Sequence, residues 1–235
     1  MLELDRINTH RGPAHVLRGV SLRVGASEVV CLVGRNGAGK TTTLESAMGL
    51  LSPRSGRITL KGRDITRLAA HERAHLGMGY APEDCGIFPD LTVAENLLIG
   101  RWLAGGGRAE DAEAADQRIH ALFPEIAELT TRRGLNLSGG QKKMVAIARA
   151  MALAPSVLLL DEPLEGLAPM VVTRFIDAAR KIKAMGIPLL IAESNVANAA
   201  RVADRLYAID RGEIIFEGPP RQALENEDVM KTIRG

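Results

Sequence analysis

Four short runs of consecutive apolar residues punctuate the chain: "EVVCLV" at 28–33, "SVLLLDE" at 156–162, "IPLLIA" at 187–192 and "RLYAID" at 205–210. Runs of this length without alternation predict strands buried on both faces, as parallel strands are. The stretches between the later ones carry helical periodicity. The clearest begins at Pro169, sets Val172, Phe175, Ile176, Ala179 and Ile182 on one face and ends before Gly186. Strands alternating with helices in this way predict βαβ units around a parallel core sheet. The start of the chain reads differently. "LELDRI" (2–7), "HVLRGVSLRV" (15–24) and "RITLKG" (57–62) alternate, with Gly and Pro between them, which predicts antiparallel strands flanking the core.

Between 90 and 153 the pattern is helical, with no strand-like run. "TVAE" at 92–95 predicts a capping box, Thr92 as N-cap with Glu95 reaching back. "LAGGGRAED" (103–111) predicts a flexible break, followed by a polar helix to about Phe123–Pro124. Past 212, "EIIFEG" predicts a short strand and then one terminal helix, with no further regulatory domain. No internal repeat is present. The expected organisation is one domain over 1–235, with 1–82 and 154–235 as a core carrying the antiparallel strands and 83–153 as a helical subdomain.

Composition narrows the function classes. A chain of 235 residues that is 46% hydrophobic can bury a sizeable core, and 30 Lys+Arg against 28 Asp+Glu give no electrostatic case for nucleic acid, so no such partner is expected. Cys31, inside "VVCLV", and Cys85 have neither paired nor metal-ligand spacing, which predicts a reducing, cytosolic setting. The start "MLELDRINTH" is not a signal peptide, and no apolar run approaches the ~20 residues that cross a bilayer. Membrane association is therefore expected only through a partner.

The chemistry sits at the ends of the apolar runs. "GRNGAGKT" (34–41) matches G-x-x-x-x-G-K-[ST] between an apolar strand and a helix-like "TTTLESAMGLL". Gly34, Gly37 and Gly39 let backbone N–H groups converge on phosphate oxygens, and the helix start presents its positive end to the same anion. With Arg35, Asn36, Ala38 and Thr42 they form a candidate ATP-binding loop in which Lys40 reaches the β- and γ-phosphates and the Thr41 hydroxyl meets Mg²⁺. "SVLLLDEP" supplies Asp161 for the metal and Glu162 to polarise an attacking water. In "LSGGQKKMVAIARAM" (137–151), Ser138, Gly139 and Gly140 open a second helix whose apolar face is Met144, Ile147, Ala148 and Met151, a second candidate anion site.

With these motifs in this order, the chain resembles the ATPase subunits of ABC transporters over essentially its whole length. The resemblance implies an α/β P-loop NTPase of the ABC ATPase type, with a parallel core sheet, an N-terminal antiparallel β subdomain and a helical signature subdomain. It implies ATP hydrolysis with ATP and Mg²⁺ as cofactors, and a head-to-tail dimer with a second ATPase subunit, identical or not. Ser138, Gly139, Gly140 and Gln141 would then reach across to the γ-phosphate held by the other subunit. Transmembrane permease subunits and, indirectly, a solute-binding protein are the implied partners, and the implied location is the cytoplasmic face of the cell membrane.

"GYAPEDCGIFPDLTVAENL" (79–97), "PLEGLAP" (163–169) and "AESNVANAARVADR" (192–205) resemble the smaller ATPase of branched-chain amino-acid importers and its relatives for urea and short amides. Glu83 stands where most ABC ATPases carry glutamine, and by resemblance contacts Mg²⁺ or the lytic water, acts in catalysis and senses the membrane partner. The segment 82–98 would dock a coupling helix. Three positions depart from the family. Arg11, beside His10, replaces the aromatic that stacks on adenine; it either offers its guanidinium plane to the base or is a surface charge. Leu164 replaces a small hydroxyl residue, which is expected to alter communication across the dimer. Ser194 replaces the histidine that contacts the γ-phosphate. It is both a short neutral donor there and a fitting cap for the helix that follows. The expectation is that this chain's own site binds ATP but turns it over slowly, a histidine-bearing second subunit carrying most hydrolysis. A soluble ABC ATPase of translation or DNA repair is the rival, disfavoured by the single module and the lack of heptads. A hydrolysis-poor regulatory subunit is a third reading, resting on Ser194 alone. The solute is not legible, because its specificity lies in other subunits.

Overall fold

In the computed structural model, which describes residues 1–104 and 112–234, the chain runs from β1 (Leu2–Arg11) and β2 (Ala14–Val24) through β3 (Val29–Val33) into α1 (Lys40–Met48). Next come β4 (Ser55–Leu60), β5 (Arg63–Asp64), α2 (Ala70–His75) and β6 (Met78–Ala81), then helices α3 (Val93–Ala104), α4 (Ala112–Leu122), α5 (Glu125–Leu129) and α6 (Gly139–Ala152). The second half alternates β7 (Val157–Asp161), α7 (Pro169–Ala184), β8 (Leu189–Glu193), α8 (Val196–Ala200) and β9 (Arg205–Asp210), and closes with β10 (Glu213–Gly218), α9 (Pro220–Glu225) and α10 (Glu227–Arg234).

The continuous apolar runs become the middle of a six-stranded sheet ordered β10-β9-β3-β8-β7-β6. Its strands are parallel except β10, which pairs antiparallel with β9, so the expected parallel core carries one antiparallel edge. All five residues of β3, β7 and β8 are buried, which is why they read as unbroken apolar runs. Their faces alternate between two apolar clusters. Cys31, Leu158, Leu160 and Ile191 pack with α6 and α7, whereas Val30, Leu32, Leu159 and Leu190 pack with α1 and the strands of the second sheet. That second sheet, β2-β1-β4-β5, is antiparallel, as the alternation at the start of the chain predicts.

The helical elements follow their local signals. Thr92 and Glu95 cap each other, with Thr92 N–H to Glu95 Oε2 at 2.7 Å and Glu95 N–H to Thr92 Oγ1 at 3.2 Å, an arrangement typically worth about 1 kcal/mol. Val172, Phe175, Ile176, Ala179 and Ile182 are the buried face of α7. The break expected over 103–111 lies, from 105 onward, outside the described residues, while α3 runs on to Ala104. The single terminal helix is two: extended backbone at Asn226 ends α9, and its side chain accepts from Val229 N–H at 3.1 Å to start α10.

Three elements escape the sequence pattern, the two-residue β5 among them. In β6, Gly79 interrupts the apolar run because the backbone lies against its neighbours; a Cβ there would come within 2.9 Å of Leu158 and 3.1 Å of the Ala150 carbonyl. Helix α2 has only six residues, too few to display a period. Register then brings the functional ends level. Val33 pairs with Glu193 and Asp161 with Ala192, so the chain leaves adjacent strands at Gly34, Ser194 and Glu162 on one edge of the sheet.

Candidate active site

Gly34 follows β3 so closely packed that an added Cβ would lie 2.4 Å from the Ile209 carbonyl. Gly39 takes φ 116° and is the N-cap of α1 without any side-chain cap, so the first-turn amides of α1 are left uncovered. Lys40 is only 5% exposed. Its Nζ lies 2.8 Å from Gly34 O, 3.1 Å from Arg35 O, 2.9 Å from Ser194 Oγ and 3.1 Å from Glu162 Oε1, four oxygens around three N–H bonds. Asn36, Gly37, Thr41, Thr42, Arg11, Glu83 and Glu162 line the same cleft.

Glu162 sits at φ 46°, a left-handed conformation that costs a non-glycine residue about 1–2 kcal/mol. Hydrogen bonds hold it there. Its N–H donates to Ala192 O at 3.0 Å, and its carboxylate accepts from Ser194 N–H at 2.9 Å and Ser194 Oγ at 2.5 Å. Burial pushes the Glu162 carboxyl up, but hydrogen bonds from Ser194 and Glu193 and the charge of Lys40 outweigh it and hold the group below the usual range. Glu193, 1% exposed, moves the other way: burial, then its hydrogen bond to Glu162 and that residue's charge, push it well above the carboxylate range. The two carboxyls are thus driven in opposite directions, Glu162 toward its ionised form and Glu193 toward its neutral one, which makes Glu162 the candidate base. Sequence reasoning passed over Glu193; an acid ending a wholly buried strand is the signal that marks it.

The Thr41 hydroxyl donates to Asp161 Oδ1 at 3.3 Å, and Tyr80 OH, at the start of "GYAPED", approaches Asp161 Oδ2 at 3.5 Å. Burial pushes Asp161 up to about 6; the Thr41 hydrogen bond opposes this, and the nearby charges of Glu162, Glu83 and Glu45 add to it. A buried carboxylate in this condition suits a cation. Glu83 is exposed and faces the same cleft.

The three departures resolve differently. The Arg11 guanidinium pairs with Glu45 on α1, and its Nε donates to Thr42 Oγ1 at 3.3 Å, so it is a fixed wall of the cleft and not a free surface charge. Leu164 is buried in the apolar cluster around α7, so the substitution fills the core instead of exposing a side chain. Ser194 does not cap the next helix. Asn195 does, accepting from Asn198 N–H at 3.0 Å, and Ser194 Oγ is spent on Lys40 and Glu162, with Asn36 Oδ1 2.9 Å away.

Ser138, Gly139, Gly140 and Gln141 are absent from the lining of this cleft. They form the first turn of α6, where Ser138 N–H donates to Gln141 Oε1 at 2.9 Å and Gln141 N–H to Ser138 Oγ at 3.3 Å. A Cβ on Gly139 would meet nothing within 4 Å, so nothing local requires glycine there.

A glycine loop with a buried lysine, a threonine–aspartate pair and an ionised, hydrogen-bonded glutamate define a P-loop nucleoside-triphosphate hydrolase. A family model described as "ABC transporter" matches residues 17–165, and the chain belongs to that family; it is an ABC-type ATPase subunit. Among curated proteins it is 37% identical over 220 residues to the lipopolysaccharide export system ATP-binding protein LptB of Acidithiobacillus ferridurans, covering 94% of this chain and 90% of that one. It is 32% identical to the high-affinity branched-chain amino acid transport ATP-binding protein BraG of Pseudomonas aeruginosa over 235 residues, all of both chains. With the probable branched-chain amino acid transport ATP-binding protein LivF of Archaeoglobus fulgidus it shares 34% over 239 residues, 100% of this chain and 99% of the relative. Two solved ATP-binding cassettes of ABC transporters, one nucleotide-free and one in an ADP conformation, superpose with TM-score 0.87 at 28% and 29% identity, covering 100% of this chain and 99% and 98% of theirs.

Proposed function

We propose that this ATPase drives uptake of branched-chain amino acids or a related small solute through permease subunits, as one of two cassettes sharing composite ATP sites. The observation that carries the ATP chemistry is the Lys40–Ser194–Glu162 cluster at the mouth of the loop. In this reading the loop amides and Lys40 hold the phosphates, Glu162 takes a proton from the attacking water, and Arg11 offers its guanidinium face to adenine. Thr41 and Asp161, 3.3 Å apart and both hard oxygen donors, fit Mg²⁺, with Glu83 beside them. The ion would neutralise charge developing on the phosphates. The open space at Gly139 supports a role for Ser138–Gln141 toward nucleotide on a second subunit, since its bareness serves only what approaches from outside.

Permease docking has its own support. Leu50 and Phe88, 54% and 47% exposed, stand with Met48, Ala74 and Ile99 around an apolar groove between α1–α2 and the helical segment 83–153. The end-to-end match with the relatives named for branched-chain amino-acid transport favours import over lipopolysaccharide export. In proteoliposomes carrying this chain with the permease subunits and binding protein of a branched-chain amino-acid importer, leucine, isoleucine or valine should be taken up with ATP. Uptake of none of them overturns the solute class.

Ser194 sets the pace in this reading. Its hydroxyl reaches Lys40 and Glu162, so it stands beside the γ-phosphate position with a neutral donor. A charge-assisted donor would be about twice as strong. Homomeric protein should therefore show low steady-state ATPase activity, and Ser194→His should raise kcat by on the order of tenfold. Vigorous wild-type hydrolysis that histidine leaves unchanged or lowers would mean that Glu162 suffices.

A further inference from the structure

Of the basic residues of α6, Lys143 is the one whose side chain reaches the segment that carries Glu162. It follows the signature turn by two residues, near the positive end of its helix, where a cation is disfavoured. Its ammonium is turned onto two main-chain carbonyls of the segment leaving β7. Nζ donates to Glu162 O in a short contact and to Glu165 O at 3.0 Å. The Glu162 carbonyl belongs to the left-handed residue at φ 46°, whose N–H is already held by Ala192 O at 3.0 Å and whose carboxylate is held by Ser194. The Glu162 carbonyl also accepts from Glu165 N–H at 3.3 Å, and Lys143 adds the one tie that leaves this turn, fastening the strained backbone that aims the carboxylate to α6.

We propose that Lys143 is a positioning residue for hydrolysis, clamping the Glu162 peptide to α6 so that a contact made at Ser138–Gln141 is felt by the catalytic carboxylate of the same chain. This rests on the composite-site reading, in which Ser138–Gln141 meets nucleotide held by a second subunit. The mechanical link is short. Ser138 and Gln141 are locked to each other, α6 continues from them without interruption, and Lys143 spans from its second turn to β7. Glu165 carries the same tie into the loop 163–168. Occupation of one site is thereby transmitted to the base of the other, and the two sites fire cooperatively.

The test compares wild type with Lys143→Met, which keeps length without donors, and Lys143→Arg, which keeps N–H groups for both carbonyls. Thermal unfolding establishes that each is folded, and Lys143→Leu, which also lacks donors, replaces the methionine variant where that one is not. Monomer affinity for ATP–Mg²⁺ is measured by calorimetry, with kcat, KM and cooperativity in ATP measured on the dimer. The expected result is an affinity for the methionine variant within about twofold of wild type, an unchanged KM, a kcat lower by about tenfold or more, and loss of cooperativity, all restored by arginine. Wild-type kcat and cooperativity in the methionine or leucine variant, or an arginine variant as impaired as methionine, would overturn the proposal. Size-exclusion of Glu162→Gln with ATP separates the two levels. Where no dimer forms, the composite-site reading fails and takes this proposal with it; where a dimer forms and the Lys143 variants behave as wild type, the clamp alone is wrong.

Discussion

Glu162→Gln should bind ATP as wild type does and hydrolyse it about 10²- to 10⁴-fold more slowly, the usual contribution of a positioned base. The geometry keeps the side chain oriented, although the amide gives up the ion pair with Lys40, so the nucleotide-free variant should be less stable than wild type. Glutamine keeps an oxygen to accept from Ser194 N–H, the bond of 2.9 Å that orients the side chain, but an amide takes no proton from water. The wild-type group is ready for that proton because Ser194, Glu193 and Lys40 lower it against the pull of burial, while burial and the Glu162 carboxylate push Glu193 up. With ATP uncleaved, the composite site stays closed, and the variant should elute as a dimer with ATP and a monomer without it. Hydrolysis at the wild-type rate would assign the base to another residue.

Lys40→Ala should weaken ATP–Mg²⁺ binding by at least about 10²-fold, the loss expected when a charge-assisted contact to phosphate disappears from a closed pocket. Stability should fall as well. Lys40 and Glu162 form an ion pair whose side chains are 5% and 4% exposed, and removing one member of such a pair leaves a buried charge that typically costs about 3–5 kcal/mol. Lys40→Arg separates the two effects. It keeps the cation and should hold the melting temperature close to wild type, but its planar fork does not fit the nest of Gly34 O, Arg35 O and Ser194 Oγ, so nucleotide affinity should still drop. Calorimetry that found equal affinity for wild type and alanine would remove the phosphate-loop assignment.

Local physics made much of this protein legible. Capping depends on residues three apart, so Thr92–Glu95 marks the start of α3 in the sequence as plainly as in the structure. Burial on both faces makes β3 and the first four residues of β7 and β8 apolar throughout, so they announce themselves as runs, with Asp161 and Glu193 closing the last two. The glycine loop reads from its spacing because its job, bringing backbone amides to an anion, is done within eight consecutive residues. The antiparallel edge formed by β10 did not read, since nothing in a six-residue run states which neighbour it will join or in which direction.

The amino-acid sequence by itself determined the elements that are continuous in the chain and singled out the glycine loop, Asp161, Glu162 and the Ser138–Gln141 turn as candidates, because each of those rests on patterns a few residues long. What only the tertiary structure decided is what each isolated side chain does. Arg11 lies on Glu45 and Thr42, Ser194 leaves capping to Asn195 and joins Lys40 and Glu162, Leu164 turns inward, Glu193 is buried, and Lys143 reaches the carbonyl of Glu162. Each of these partners is brought near by sheet register or helix packing. Ser194 is 154 residues from Lys40 and 32 from Glu162, and only the pairing of β3, β8 and β7 sets those three strand ends side by side.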